Sequence, residues 1–146
     1  LEEGRWHGSF VRWFEDGTPN RALHYADGEQ EGLQRVWRRD GTRKWERTVV
    51  DGRDHGRVVR WYENGRKRFE GEFVEGLPHG VHVHWYENGL KESEISYVRG
   101  EREGPWTQWY ESGQRESQGA LENGRRAGVW RRWDRDGSLA YERDFG

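Results

Sequence analysis

The stretch GRVVRWYENGRKRFEGEFVEGLPH, residues 56–79, reads as two short strands and two turns within 24 residues. Arg57-Val58-Val59-Arg60-Trp61-Tyr62 is β-branched and aromatic, the composition strands prefer. Glu63-Asn64-Gly65 supplies a type I turn closed by a glycine in the left-handed region, a common three-residue hairpin connection. Arg66 to Val74 alternates, with Phe69, Gly71 and Phe73 on one face. Glu75-Gly76-Leu77-Pro78-His79-Gly80 then turns the chain back. Both connections are short, so neighbouring strands are antiparallel.

Outward from this stretch the pattern recurs. Gly8, Gly32, Gly56, Gly80, Gly104 and Gly128 open six units at a spacing of 24 residues, without insertion or deletion. Trp13, Trp37, Trp61, Trp85, Trp109 and Trp133 follow five residues later, and Gly17, Gly41, Gly65, Gly89, Gly113 and Gly137 nine residues later. Gly28, Gly52, Gly76, Gly100 and Gly124 mark the second turn, a slot that Gly4 fills ahead of the first unit. Registers locked at a fixed period identify a tandem repeat, and glycines this frequent would break any helix. The expected fold is all-β: tandem antiparallel β-hairpin repeats forming one long, twisted, open meander, solenoid-like, of about twelve strands. Residues 1–146 read as a single array, with Leu1 to His7 as the tail of a preceding unit. Uncapped ends would expose sheet edges, which favour edge-to-edge self-association.

Side-chain parity then assigns faces. With Tyr62 paired to Arg66, Trp61 shares a face with Phe69, Gly71 and Phe73, and the repeat carries one aromatic or aliphatic residue per strand along a continuous stripe. The six repeated tryptophans and the turn glycines are therefore structural. Gly71 and Gly119 leave room for a neighbouring indole to lie on bare backbone. The other face carries Tyr62, Tyr86 and Tyr110 and a row of Glu46, Glu70, Glu94, Gln118 and Glu142, set to form ion pairs with Arg12, Arg60, His84 and Arg132.

Composition bounds the function. Apolar residues are 31% and charged residues 36%, a balance that leans towards disorder, but 14% aromatics with 10 Trp supply a thin aromatic core. Net charge is −2, so nothing steers the chain towards nucleic acid or an anionic membrane, and the interleaved acidic row argues further against nucleic acid. Cationic residues are nearly all Arg, suited to planar pairing and aromatic stacking. The chain contains no Cys, which excludes disulfides and thiolate metal sites and leaves the redox compartment open. It has no apolar run long enough for a membrane span. A start at Leu1 rather than Met points to a trimmed or processed form; a cytoplasmic location is the expectation, with an exported form left open.

No catalytic residues, metal ligands or cofactors are assigned. The serines lie in no nucleophile motif, and the carboxylates recur with the repeat, which marks structural ladders. His79, His82 and His84 are the one local exception, a conceivable three-histidine metal site. Yet His79 occupies the same slot as His7 and His55, and His82 the slot of Phe10, Val58, Trp106 and Trp130, which favours a structural role. Residues that differ between units on the outward side would carry specificity: Arg12, Arg60, His82, His84, Trp106, Gln108, Trp130 and Arg132.

The segments GRVVRWYENGRKRFEGEFVEGLPHG, GVHVHWYENGLKESEISYVRGEREG and GPWTQWYESGQRESQGALENGRRAG resemble the MORN-repeat variant (membrane occupation and recognition nexus). The resemblance is looser in unit two, where Gln34 replaces an early aromatic, and in unit six, where Asp134 replaces Tyr. It implies a non-enzymatic, protein-binding repeat module and, for bacterial members, the antitoxin of a YwqK-type toxin–antitoxin pair, with a cognate toxin as partner. Two other readings stay open: an aromatic cell-wall or carbohydrate binder, and a peripheral lipid-binding module.

Overall fold

In the computed structural model, which describes residues 4–146, the chain forms one open antiparallel sheet of 13 strands. Residues 1–3 of the expected N-terminal tail lie outside the described residues. Strands follow chain order from β1 (Gly8–Trp13) and β2 (Pro19–Ala26) to β13 (Leu139–Asp144). The extra strand β3 (Glu29–Gln30) pairs only with β2 and precedes β4 (Gly32–Trp37). The hairpin meander is thus the observed architecture.

The first turn of each unit matches the sequence reading. Tyr62 N donates to the Arg66 carbonyl at 2.8 Å and Gly65 N to the Tyr62 carbonyl at 3.1 Å, which encloses Glu63-Asn64-Gly65. The second turn is tighter than expected. β7 (Lys67–Val74) ends and β8 (Leu77–Trp85) begins with only Glu75-Gly76 between them. Both residues are left-handed, at φ 52° and 82°, the two-residue turn whose twist matches that of its strands. Leu77-Pro78-His79 therefore belongs to β8 rather than to the turn.

A second irregularity follows in the same strand. Glu70 faces Val83 and Glu72 faces His79, so Gly80-Val81-His82 stand opposite Gly71 alone. This bulge recurs between units, each time with three residues against one.

A third irregularity corrects the face assignment. In the hairpin of β6 (Arg53–Trp61) and β7, Trp61 pairs with Lys67 but Arg60 pairs with Phe69, which leaves Arg68 as an extra residue. Side chains alternate with period two, so one inserted residue exchanges the faces. Phe69, Gly71 and Phe73 consequently share a face with Val58 and Arg60, whereas Trp61 lies with Val59 and Glu70. The same slip occurs beside Trp13, Trp37, Trp85, Trp109 and Trp133. The single stripe read from the sequence is two: a tryptophan face and a packed face. The packed face holds most of the buried side chains, among them Gln34, Val49, Val58, Phe69, His82, Leu121 and Trp130.

Side chains stitch successive units. Tyr62, Tyr86 and Tyr110 donate their hydroxyls to the carbonyls of Trp85, Trp109 and Trp133 at 2.7, 2.7 and 2.8 Å. Unit two has Arg38 in this slot, and its guanidinium reaches the Trp61 carbonyl at 2.5 Å. Asn64 and Asn88 do the same at the turn tips, donating to the carbonyls of Glu87 and Glu111. Each such bond contributes about 1 kcal/mol, so the repeat is held by more than its ladder.

Candidate functional site

On the tryptophan face cations link ring to ring between units, while Trp13, Val11, Leu33, Val81 and Val129 stay exposed. Lys67, paired across the hairpin with Trp61, holds its Nζ 5.7 Å from the Trp85 ring. Lys91 bridges Trp85 and Trp109 in the same way at 5.9 Å, and Arg115 bridges Trp109 and Trp133 at 5.7 Å. Each cation also meets an acceptor three residues on: Lys67 with Glu70 at 2.6 Å, Lys91 with Glu94, Arg115 with Gln118 at 2.9 Å. Arg43 sits over Trp61 at 5.8 Å and pairs with Glu46 at 3.4 Å. From the opposite strands come Arg35 to Glu46 at 2.8 Å, Arg57 to Glu70 at 2.5 Å and Arg131 to Glu142 at 2.7 Å. Burial raises the Glu70 pKa, but Lys67 and Arg57 together outweigh it and hold the carboxyl below its ordinary value.

The acidic row thus lies with the tryptophans, and its partners are not the residues expected from the sequence. Arg12, Arg60 and His84 stand on the other face, and among the described residues Arg132 reaches only Glu116, at 3.9 Å. The reason is again the hairpin bulge, which moved the acids and the tryptophans onto one side.

All eight residues proposed for specificity lie on the packed face, but two of them are consumed by packing. His82 is 4% exposed and Trp130 5%. The His82 imidazole rests on Gly71, where a Cβ would stand 2.7 Å from the ring, and its Nε2–H donates to the Glu72 carbonyl at 2.7 Å. The Trp130 indole rests on Gly119 and its Nε1–H donates to the Ala120 carbonyl at 2.9 Å. Bare backbone at Gly119 accepts the expected indole; at Gly71 the ring is an imidazole. Gln34, whose slot is the same, is fully buried and uses its amide as a peptide group, donating to the His24 carbonyl at 3.0 Å and accepting from His24 N at 3.1 Å. The bulge provides these positions with a carbonyl ten residues back. Trp106 occupies the same slot, but Ile95 stands where His82 and Trp130 have a glycine, and its side chain stays half-buried.

His84 packs 4.9 Å from Phe69, and Arg60 stands over that ring at 5.6 Å. Burial pushes the pKa of His82 and of His84 below the ordinary histidine value. His79 pairs with Glu72, on the side away from His82 and His84. Among the described residues no group of three histidines and carboxylates is placed to hold a metal ion. Arg12 lies at the far end of the sheet, opposite Arg21.

Trp106, Gln108, Trp130 and Arg132 come together. They line an open groove of about 700 Å³ over units five and six, with Glu116, Ser117, Arg126 and Tyr141. The two indoles stand 5.0 Å apart at 34°, and the Arg126 guanidinium lies 4.7 Å above Trp130. Sequence reasoning missed Arg126, because its position in the second turn region read as loop rather than as strand β12 (Arg125–Trp133) paired with Leu121.

Within this region residues 102–123 match the family model of the MORN repeat variant. The match contains Trp106, Trp109 and the Tyr110–Gln114 hairpin. It supports the MORN family. No curated protein matches the chain. Among the described residues no helix is long and apolar enough to cross a membrane.

Proposed function

We propose that this chain is a non-enzymatic protein-binding repeat module that engages its partner through the packed face, centred on the groove of Trp106, Gln108 and Arg132. The observation that carries this reading is the contrast between the two faces. Both faces carry half-buried aromatics, but the tryptophan face pairs most of its cations with glutamates, whereas the packed face leaves exposed arginines without close carboxylates around an open groove. Aromatic and arginine side chains in a concave setting are the residues that dominate protein–protein binding energy. An antitoxin- or immunity-type role, with a cognate toxin as partner, is the finer form of this proposal.

Affinity purification of the tagged chain from its native host, read by mass spectrometry, tests it. A stoichiometric protein whose recovery falls with Trp106→Ala or Gln108→Ala supports the reading. Recovery of glycan or lipid without protein, or a partner indifferent to both substitutions, overturns it.

A further inference from the structure

Arg12, Arg60, Arg102, Arg126, Arg132 and Arg143 all lie on the packed face and all are exposed. Among the described residues only Arg132 has a carboxylate within ion-pair distance, and that at 3.9 Å. Three of them stand over rings: Arg60 over Phe69 at 5.6 Å, Arg126 over Trp130 at 4.7 Å and Arg143 over Phe145 at 5.0 Å. The tryptophan face uses the same cation-over-ring arrangement, but there Arg43, Lys67 and Lys91 each meet a glutamate. Most ring-bridging cations of the tryptophan face thus meet an acid, Arg115 with Gln118 being the exception. On the packed face Glu116 and Asp134 also line the groove, yet among the described residues only Arg132 of the six arginines has a carboxylate in reach. Asp54 does reach the packed face, but it is taken by Arg47 at 3.0 Å.

A guanidinium held over a ring is oriented with its N–H edge free, and that edge matches a carboxylate in two parallel hydrogen bonds. Single-stranded nucleic acid would also bring anions, but it needs open ring faces on which bases can stack. At Trp130 and Phe69, the rings beneath Arg126 and Arg60, those faces are occupied. Trp130 lies between Gly119 and Arg126, and Phe69 is flanked by His82 and His84 beneath Arg60. The chemistry left on offer is the set of arginine N–H donors beside half-buried apolar surface.

We propose that the packed face docks an acidic segment of the partner protein, with Arg126 and Arg132 holding its carboxylates at the rim of the Trp106–Trp130 groove. This rests on the protein-binding reading above and adds the chemistry of the segment recognised.

The test is a fluorescence-anisotropy titration of the full chain with labelled oligoglutamate, oligolysine and oligothymidylate. Oligoglutamate alone binds, its affinity falls as salt rises, and Arg126→Glu with Arg132→Glu weakens it by roughly tenfold or more. Arg57→Glu with Arg131→Glu, the same charge change on the tryptophan face, leaves binding within about twofold. Thermal melts establish that both variants fold; if the reversal does not, Arg126→Gln with Arg132→Gln takes its place. No oligoglutamate binding, equal loss in both variants, or equally tight oligothymidylate binding overturns the proposal. A host partner that still binds the Arg126 and Arg132 variant sinks the acidic segment but spares the protein-binding reading. Failure to recover any protein sinks both.

Discussion

The indole of Trp130 lies directly on the backbone of Gly119: a Cβ built at Gly119 would stand 2.3 Å from the ring. No real side chain tolerates that contact, so Gly119→Ala must expel the indole and break its bond to the Ala120 carbonyl. Overpacking of this kind costs about 1–3 kcal/mol, and the upper half of that range is expected here by urea unfolding. Val58 shows that the ring slot also takes a small side chain facing a non-glycine, Arg47. Gly119→Ala combined with Trp130→Val should therefore lose less than the sum of the single changes. Strict additivity would show that the two residues do not compete for the space.

Tyr86 ties unit four to unit five through the Trp109 carbonyl at 2.7 Å. Tyr86→Phe keeps the ring and removes the bond, with an expected loss of about 1 kcal/mol. Burial holds the Tyr62 and Tyr86 pKa values above the ordinary tyrosine value. A raised folded-state pKa gives stability that is complete below the unfolded value and is lost as pH rises through the folded one. Alkaline melts should thus fall above about pH 10, and less steeply in the double Phe variant of Tyr62 and Tyr86. Equal slopes would refute the assignment.

His82 and His84 are depressed by burial, so the unfolded chain takes up their protons first as pH falls. Their contribution is present above the unfolded value of about 6.5 and is lost on acidification through the lower folded values. His82→Gln places in this slot the residue that unit two uses, with a donor for the Glu72 carbonyl. The melting temperature of this variant should depend less on pH between about 6.5 and 5 than that of the native chain. An unchanged profile would place the titration elsewhere.

Lys91 lies between Trp85 and Trp109 and pairs with Glu94. Lys91→Met preserves the stem and removes the charge, at an expected cost of about 0.5–1 kcal/mol. A double-mutant cycle with Trp109→Leu should show a coupling of a few tenths of a kcal/mol or more. No coupling would mean the ladder is held by the stems and not by the charge.

Much of this protein was legible in the order of its residues. The 24-residue period, the Glu63-Asn64-Gly65 type of turn and the strand-forming runs fixed an antiparallel meander, because turn chemistry and strand composition are local properties. The eight specificity candidates fell on one face for the same reason: they were chosen at two slots of one strand, and two positions two residues apart share a side. What the sequence withheld were the bulges. Arg68 is an ordinary strand residue by composition, yet the structure leaves it unpaired, and with period-two alternation that single residue exchanges the two faces. Only the tertiary pairing could show that Glu70 lies beside Trp61 and Lys67, not across from Arg60, and that His82 and Trp130 are spent on carbonyls exposed by the second bulge. Local propensity sets where strands and turns form; register, decided by packing between strands that lie side by side, sets which side chains are left for a partner.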